Sequence, residues 1–195
     1  MSKSRDLAAL LDSSGDVVAG ALDNAGGGGG GAWEVISSST ISSSVSSVEI
    51  TIPTTHERYR LMVSNASNSG NAWLYVSLST DGSTYLSSGY RYMSRSWQTD
   101  STGNFNTNGY NTSPISLGLI LSSFDGQFDL LNFNNTRHKK IMGMYSLTND
   151  NVDGDSTSVL TAANDATSSV SKIKFHTNSG TFDSGTFTLY GIKTS

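Results

Sequence analysis

The sequence predicts an all-β protein, an antiparallel β-sandwich of jelly-roll-like form, preceded by an extended or short-helical N-terminal anchor and a glycine-rich hinge. Three observations carry that prediction. The first is composition. Hydrophobic residues make up 35% of the chain and charged residues 14%, both below ordinary soluble usage. The balance goes to Ser, Thr, Asn and 20 glycines, which form helices poorly, form turns well and sit comfortably on exposed strand faces. The second is a period of two in the apolar residues from Trp33 onward, which gives each strand one buried and one wetter face. The third is turn chemistry at short intervals, with no helical pattern of about 10–15 residues between the strands, the sign of a sandwich rather than a βαβ fold.

Taken in order, residues 1–25 carry the helix-compatible sequence. Ser4 can cap a short helix in which Leu7, Leu10 and Leu11 share one face at i, i+3 and i+4. Two turns of helix are marginal alone in water. With Val17, Val18 and Leu22 these residues form an apolar set that needs another surface to cover it. Either it frays as termini do, or it docks on a partner, and docking is the expectation adopted here. Residues 26–32 are the linker, built on the uninterrupted run Gly26–Gly31. Such a run behaves as a flexible coil spanning roughly 12–15 Å. A phosphate-binding loop is rejected, since no strand pattern precedes the run and no Lys-Ser/Thr follows it.

Residues 33–195 are read as the sandwich domain. Val48, Ile50 and Ile52 face one way, Glu49 and Thr51 the other. Tyr59, Leu61 and Val63 alternate with Arg60 and Met62. Ala72, Leu74, Val76 and Leu78 form one face, and Trp73 and Tyr75 the other. Ile173 and Phe175 alternate with Lys172 and Lys174, and Phe187 and Leu189 alternate with Thr186, Thr188 and Tyr190. Turn signals fall at Asn68–Asn71, Asp81-Gly82, Asp125-Gly126, Asp153-Gly154 and Asn178–Gly180. The stretch Ser79–Thr84 reads as a hairpin turn between two strands. Residues 96–114 read as a long polar loop with aromatics, of the kind that is functional or held by a neighbouring subunit.

The function classes are bounded by what the chain carries. A length of 195 residues suits one ordinary domain better than two. A net charge of −4, without a block of Lys or Arg, is the wrong balance for neutralising phosphates, so no nucleic-acid partner is expected. With no cysteine, disulfides, thiolate metal sites and cysteine nucleophiles are excluded. No run approaches the ~20 apolar residues of a membrane span, so no membrane insertion is expected. Asp6, Asp12 and Asp16 interrupt the N-terminal apolar run, so it does not read as a signal peptide.

The chemical inventory is thin. The histidines are His56, His138 and His176, and no G-x-S-x-G elbow is present. His56 falls in a loop after Pro53 and His176 at a strand end. The run Arg137-His138-Lys139-Lys140 reads as a solvated basic face or a contact to an acidic neighbour. No catalytic residues, no metal and no cofactor are expected. Asn149–Asp155 clusters amides and carboxylates as calcium ligands would. Yet Asn149 stands where the first Asp belongs and Leu160 where the bidentate Glu belongs, so a plain solvated turn is the expected reading. The aromatics Trp73, Tyr75, Tyr90, Tyr92, Trp97, Phe105 and Tyr110 divide between core packing and exposed contact. Trp97, Phe105 and Tyr110 are the candidates for a glycan or subunit contact.

Several segments resemble a known class. Ser4–Ala8, Ser14–Val17 and Gly20–Asn24 are similar to the N-terminal segment of tail-fibre-like and decoration proteins of marine and freshwater tailed phages. In the body, Trp33-Glu34, Tyr59–Leu61, Leu74–Ser79 and the closing Ser184–Lys193 resemble the same structural proteins. The resemblance spans nearly the whole chain. It implies a non-enzymatic virion component, assembled in the host cytoplasm and attached to other virion proteins by its N-terminal segment. It further implies a jelly-roll-like head in a trimeric or otherwise oligomeric appendage, with a homotrimer as the expected state. No coiled-coil or β-helical shaft is present, which favours a short tail appendage or a capsid decoration protein. A carbohydrate-binding module that recognises host surface glycans without catalysis is the alternative expectation.

Overall fold

A computed structural model of the chain describes residues 33–98, 104–112, 114–120, 122–148 and 156–192. Within them lie twelve strands: β1 Glu34–Thr40, β2 Ser47–Thr51, β3 Arg58–Asn68, β4 Ala72–Ser79, β5 Tyr90–Gln98, β6 Asn104–Thr112, β7 Ile115–Ile120, β8 Ser123–Leu131, β9 Lys139–Thr148, β10 Ser156–Asn164, β11 Lys172–Thr177 and β12 Phe182–Ile192. The proposed anchor residues Leu7, Leu10, Leu11, Val17, Val18 and Leu22, the glycine linker and the 149–155 loop all lie outside the described residues.

The pairing follows one simple rule. β1 pairs with β12, β2 with β11, β3 with β8, and β4 with β7, all antiparallel. These are nested pairs along one long ribbon. The ribbon rolls up so that β12 meets β3 and β11 meets β4. The result is one sheet with the order β1-β12-β3-β8 facing another with the order β2-β11-β4-β7. That is jelly-roll topology, in which two Greek keys close over a shared core. Two insertions, the β5–β6 and β9–β10 pairs, enlarge the first sheet to eight strands, in the order β8-β9-β10-β5-β6 beyond the roll.

The core lies where the apolar faces of the two sheets meet. Leu61, Phe128, Leu130, Phe187 and Leu189 come from the large sheet, and Ile50, Leu74, Val76, Ile173 and Phe175 from the small one. Their neighbours along each strand point outward, as the period of two requires. At the centre, Phe175 packs its ring against Phe124, Phe128 and Phe187. Two glycines make room for Phe128: a Cβ on Gly126 or Gly143 would approach its ring to 2.8 or 2.5 Å.

The inserted strands are not a free flap. Tyr90 on β5 is fully buried, and its hydroxyl accepts the Leu78 N–H of β4 at 2.7 Å. Tyr145 on β9 donates its hydroxyl to the carbonyl of Leu117 on β7 and meets the Ser94 hydroxyl at 2.6 Å. These bonds tie the extension to the small sheet, which explains why Ile115, Ser116 and Leu117 are buried in succession.

Four expectations need correction. Residues 96–114 are not a loop: β5 continues to Gln98, and Asn104–Thr112 form β6, paired with β5. β6 is an edge strand, where exposed Asn and Thr are tolerated, so its polarity hid its pairing. Asp125-Gly126 is not a turn but the interior of β8, where glycine serves close packing. Ser79–Thr84 does turn, but β4 and the following β5 lie in different sheets, and only a single Ser79–Tyr85 bridge closes the turn. Finally, Lys139 is not part of a solvated basic face. It is fully buried, with its ammonium donating to the carbonyls of Asn132 and Asn135.

Candidate interaction surface

The outward face of the large sheet changes character halfway across. Over β1 and β12 it carries paired hydroxyls, with Val35 exposed beside Tyr190. Ser38 meets Thr188 at 3.0 Å and Thr40 meets Thr186 at 3.1 Å, cross-strand pairs suited to water. From β3 toward β5 it turns apolar. The cross-strand neighbours run Met62–Gln127–Met144–Val159–Arg95 in one row and Arg60–Asp129–Met142–Thr161–Met93 in the next.

Every methionine of the chain except Met1 stands on this face, and all four are exposed, Met93 and Met144 by 60% each. Val159 is exposed among them. An apolar patch in the middle of a sheet face, rimmed by polar groups, is the mark of an interaction surface. Methionine is the adaptable side chain such surfaces favour.

Charged side chains stand on both flanks, and Arg58 and Arg60 of β3 join those on the β8 side. On the β8 side stand Asp125 and Asp129. Asp125 accepts the Asn65 N–H at 2.8 Å, which holds Asn65 at a φ of 52°. Asp129 holds Arg60 by two hydrogen bonds of 2.7 and 3.1 Å. That contact raises the guanidinium pKa further. On its other side Arg60 carries the Trp33 ring, 4.6 Å away. On the β5 side stand Arg91 and Arg95.

Two of the three aromatics proposed as contacts belong to this surface. Trp97 lies on β5 and is exposed, and Tyr110 on β6 is 76% exposed. Each already carries a guanidinium over one ring face, Arg95 at 5.7 Å and Arg91 at 4.9 Å. A pyranose stacked on those faces would have to displace them. Phe105 lies in β6 at the position paired with Ser96; its side chain is outside what is described. Of the other aromatics, Trp73 is exposed on the small sheet beside Leu119, while Tyr90 is core. Sequence reasoning missed the methionines, reading Met62 only as an outward residue. The signal available was that methionines at outward strand positions outnumber what a solvated face calls for.

The remaining chemistry is sparse. His56 is buried, bonding Glu34 at 2.6 Å and Thr55 at 2.8 Å, and so braces the start of β1. His176 bonds the Ser77 hydroxyl at 3.0 Å and stacks on Tyr75 at 5.6 Å. Burial, and then Lys174, lowers the pKa of the His176 ring. Among the described residues no carboxylate bonds that ring to orient it as a base. Nor do any three His, Cys, Asp or Glu side chains group as metal ligands there. The groove of about 330 Å³ between β1 and β2 is lined by Ile36, Ile50, Pro53 and Phe187, with Glu49 its single ionisable group.

Fold and surface together define a jelly-roll protein with an enlarged sheet that presents a methionine-rich face. No family model, no curated protein and no solved structure matches the chain.

Proposed function

We propose that this chain is a structural component of a tailed-phage virion, a short tail appendage or capsid decoration protein that works by assembly rather than catalysis. The methionine-bearing face is the observation that carries the reading. A broad sheet face with an apolar centre and charged rims is suited to being covered by protein, whereas a small-molecule site is a concave pocket in which a few polar groups converge. The sequence resemblance of Ser4–Ala8, Gly20–Asn24 and Ser184–Lys193 to phage structural proteins supports the same reading. On it, residues 1–25 attach the protein to other virion proteins and the jelly roll is displayed. Deleting residues 2–25 tests it. The truncated chain is expected to keep the far-ultraviolet circular dichroism of a β protein yet to vanish from purified particles. A truncated chain that still co-purifies with particles would reject the anchoring role.

Recognition of host surface glycans is a second reading, supported by the exposure of Tyr110 beside Asn106 and Asn108 on β6. Binding on a glycan array that is lost in Trp97→Ala and Tyr110→Ala variants would establish it. Binding unchanged in both variants would exclude that surface.

A further inference from the structure

We propose that the methionine-bearing face receives the N-terminal segment of a neighbouring copy, residues 6–23. The inference rests on the assembly reading above, which sends that segment to another protein, and it names one such protein as a second molecule of this chain.

The face carries a charge opposite to that of the chain that bears it. Its outward strand positions from β3 to β6 hold five basic side chains, Arg58, Arg60, Arg91, Arg95 and Lys140, against two acidic ones, Asp125 and Asp129. The whole chain has a net charge of −4. Asp129 already engages Arg60, and the other four cations are exposed. One cross-strand row runs Arg58–Leu131–Lys140–Ala163–Arg91, which sets its cations about 10 Å apart. The two rows beside it carry the four methionines and Val159. A segment that covers this face must therefore bring aliphatic side chains and carboxylates together. The same face of a second copy brings further guanidinium groups instead and does not fit.

Residues 6–23 have that composition. They carry Asp6, Asp12, Asp16 and Asp23 without a lysine or arginine, and the next basic residue along the chain is Arg58. Between the aspartates stand Leu7, Leu10, Leu11, Val17, Val18 and Leu22, the aliphatic set that a short segment cannot cover by itself. Methionine side chains adapt to such groups. The span also suits. The face is five strand spacings wide, about 24 Å, and at a rise of about 1.5 Å per residue or more the segment reaches at least about 27 Å. Every copy offers both the segment and the face. The contact is heterologous, and it closes into a ring where the rotation between copies permits. The homotrimer that the sequence resemblance implies is one such ring.

The test is sedimentation of the purified full-length chain with no particle present. The wild-type chain is expected to associate, at twice 20.6 kDa or more, and to dissociate as salt is raised, because the contact joins opposite charges. Two full-length variants each break one side of it. Arg91→Glu with Arg95→Glu removes the basic balance of the face, and Asp12→Lys with Asp16→Lys removes the acidity of the segment. Each alone is expected to associate about tenfold more weakly or worse. Mixed in equal amounts, the two are expected to pair one to one, since the unaltered segment of the first meets the unaltered face of the second. Met144→Glu breaks the face by a second route and is expected to weaken association by a similar factor. Trp73→Ser on the small sheet is the control and leaves it unchanged. Thermal circular dichroism checks that every variant is folded. A monomeric wild-type chain, association indifferent to both charge reversals, or a mixture no better associated than its parts while both melt as folded proteins would overturn the proposal. Each of those results leaves the virion reading to its own co-purification test, so the two fail separately.

Discussion

Phe175 is the ring through which the small sheet grips the large one, and its replacement by alanine is expected to cost about 4 kcal/mol of stability. The side chain is 1% exposed. Its ring centroid lies 6.3 Å from Phe124, 6.0 Å from Phe128 and 5.4 Å from Phe187, all on the opposite sheet. Truncation forfeits about 2 kcal/mol of transfer free energy. It also leaves a void of about 100 Å³, which at about 24 cal/mol per Å³ adds about 2.4 kcal/mol. The void cannot collapse easily, because its walls belong to paired strands of two sheets. For a domain of this size each kcal/mol lowers Tm by about 2–4 °C, so the midpoint falls by about 8–16 °C. Thermal circular dichroism and urea titration measure it, the urea slope reporting whether the transition stays two-state. Phe175→Leu refills most of the volume and is expected to cost about 1–1.5 kcal/mol. A loss below about 2 kcal/mol for the alanine variant, with unchanged urea slope, would refute the view that this ring couples the sheets.

Three further outcomes follow from the same structure. Gly185 sits at a φ of +129°, and a Cβ there would meet the Ala66 Cα at 2.6 Å. Gly185→Ala is therefore expected to cost about 2–3 kcal/mol by urea denaturation, while Gly70→Ala, with open space around it, stays within about 0.5 kcal/mol. Tyr90→Phe removes the acceptor of the buried Leu78 N–H, whose bond is 2.7 Å long. The loss of about 1–3 kcal/mol is expected although the variant is more apolar, because an unpaired buried donor remains. Burial pushes the Tyr90 phenol up to about 12, so the hydroxyl stays protonated across the neutral range. The Asp81 carboxylate accepts the Ser83 and Thr84 N–H groups at 2.9 and 2.7 Å and the Ser79 hydroxyl at 2.9 Å. Those bonds hold its pKa well below the ordinary 3.8. A folded pKa below the unfolded one gives stability that is present above about pH 4 and lost as the pH falls further. Asp81→Asn is expected to flatten that acid limb in a Tm profile between about pH 5 and pH 2. An unchanged acid limb would show that the turn does not depend on the carboxylate.

The faces of the strands were legible in the sequence. Val48, Ile50, Tyr59, Leu61, Val63, Leu74, Val76, Ile173, Phe175, Phe187 and Leu189 are all buried, as their alternation predicts. The turns at Asn68–Asn71 and Asn178–Gly180 also lie where the residues place them, with Gly180 at a φ of +73°. The interaction surface was half legible. Trp97 and Tyr110 were identified as exposed aromatics, but the strand that holds Tyr110 read as loop because its residues are Asn, Thr and Gly. Glycine misled in the opposite direction at Gly126, where the reason for it is the ring of Phe128. Neither cause is visible locally: one is pairing with β5, the other a side chain two residues on that folds back across the strand.

What the sequence by itself determined is the class of the fold and the inward or outward sense of most strands. Both follow from the local geometry of an extended chain, whose side chains point to opposite faces in turn. What only the tertiary structure decided is the partnership of strands far apart in sequence. Ser38 is placed beside Thr188, and Met62 shares a row with Met144, Val159 and Arg95. Alternation states that a methionine points outward, but it does not say that other outward methionines will stand next to it. That depends on register across five strands, which long-range pairing sets and no local pattern encodes.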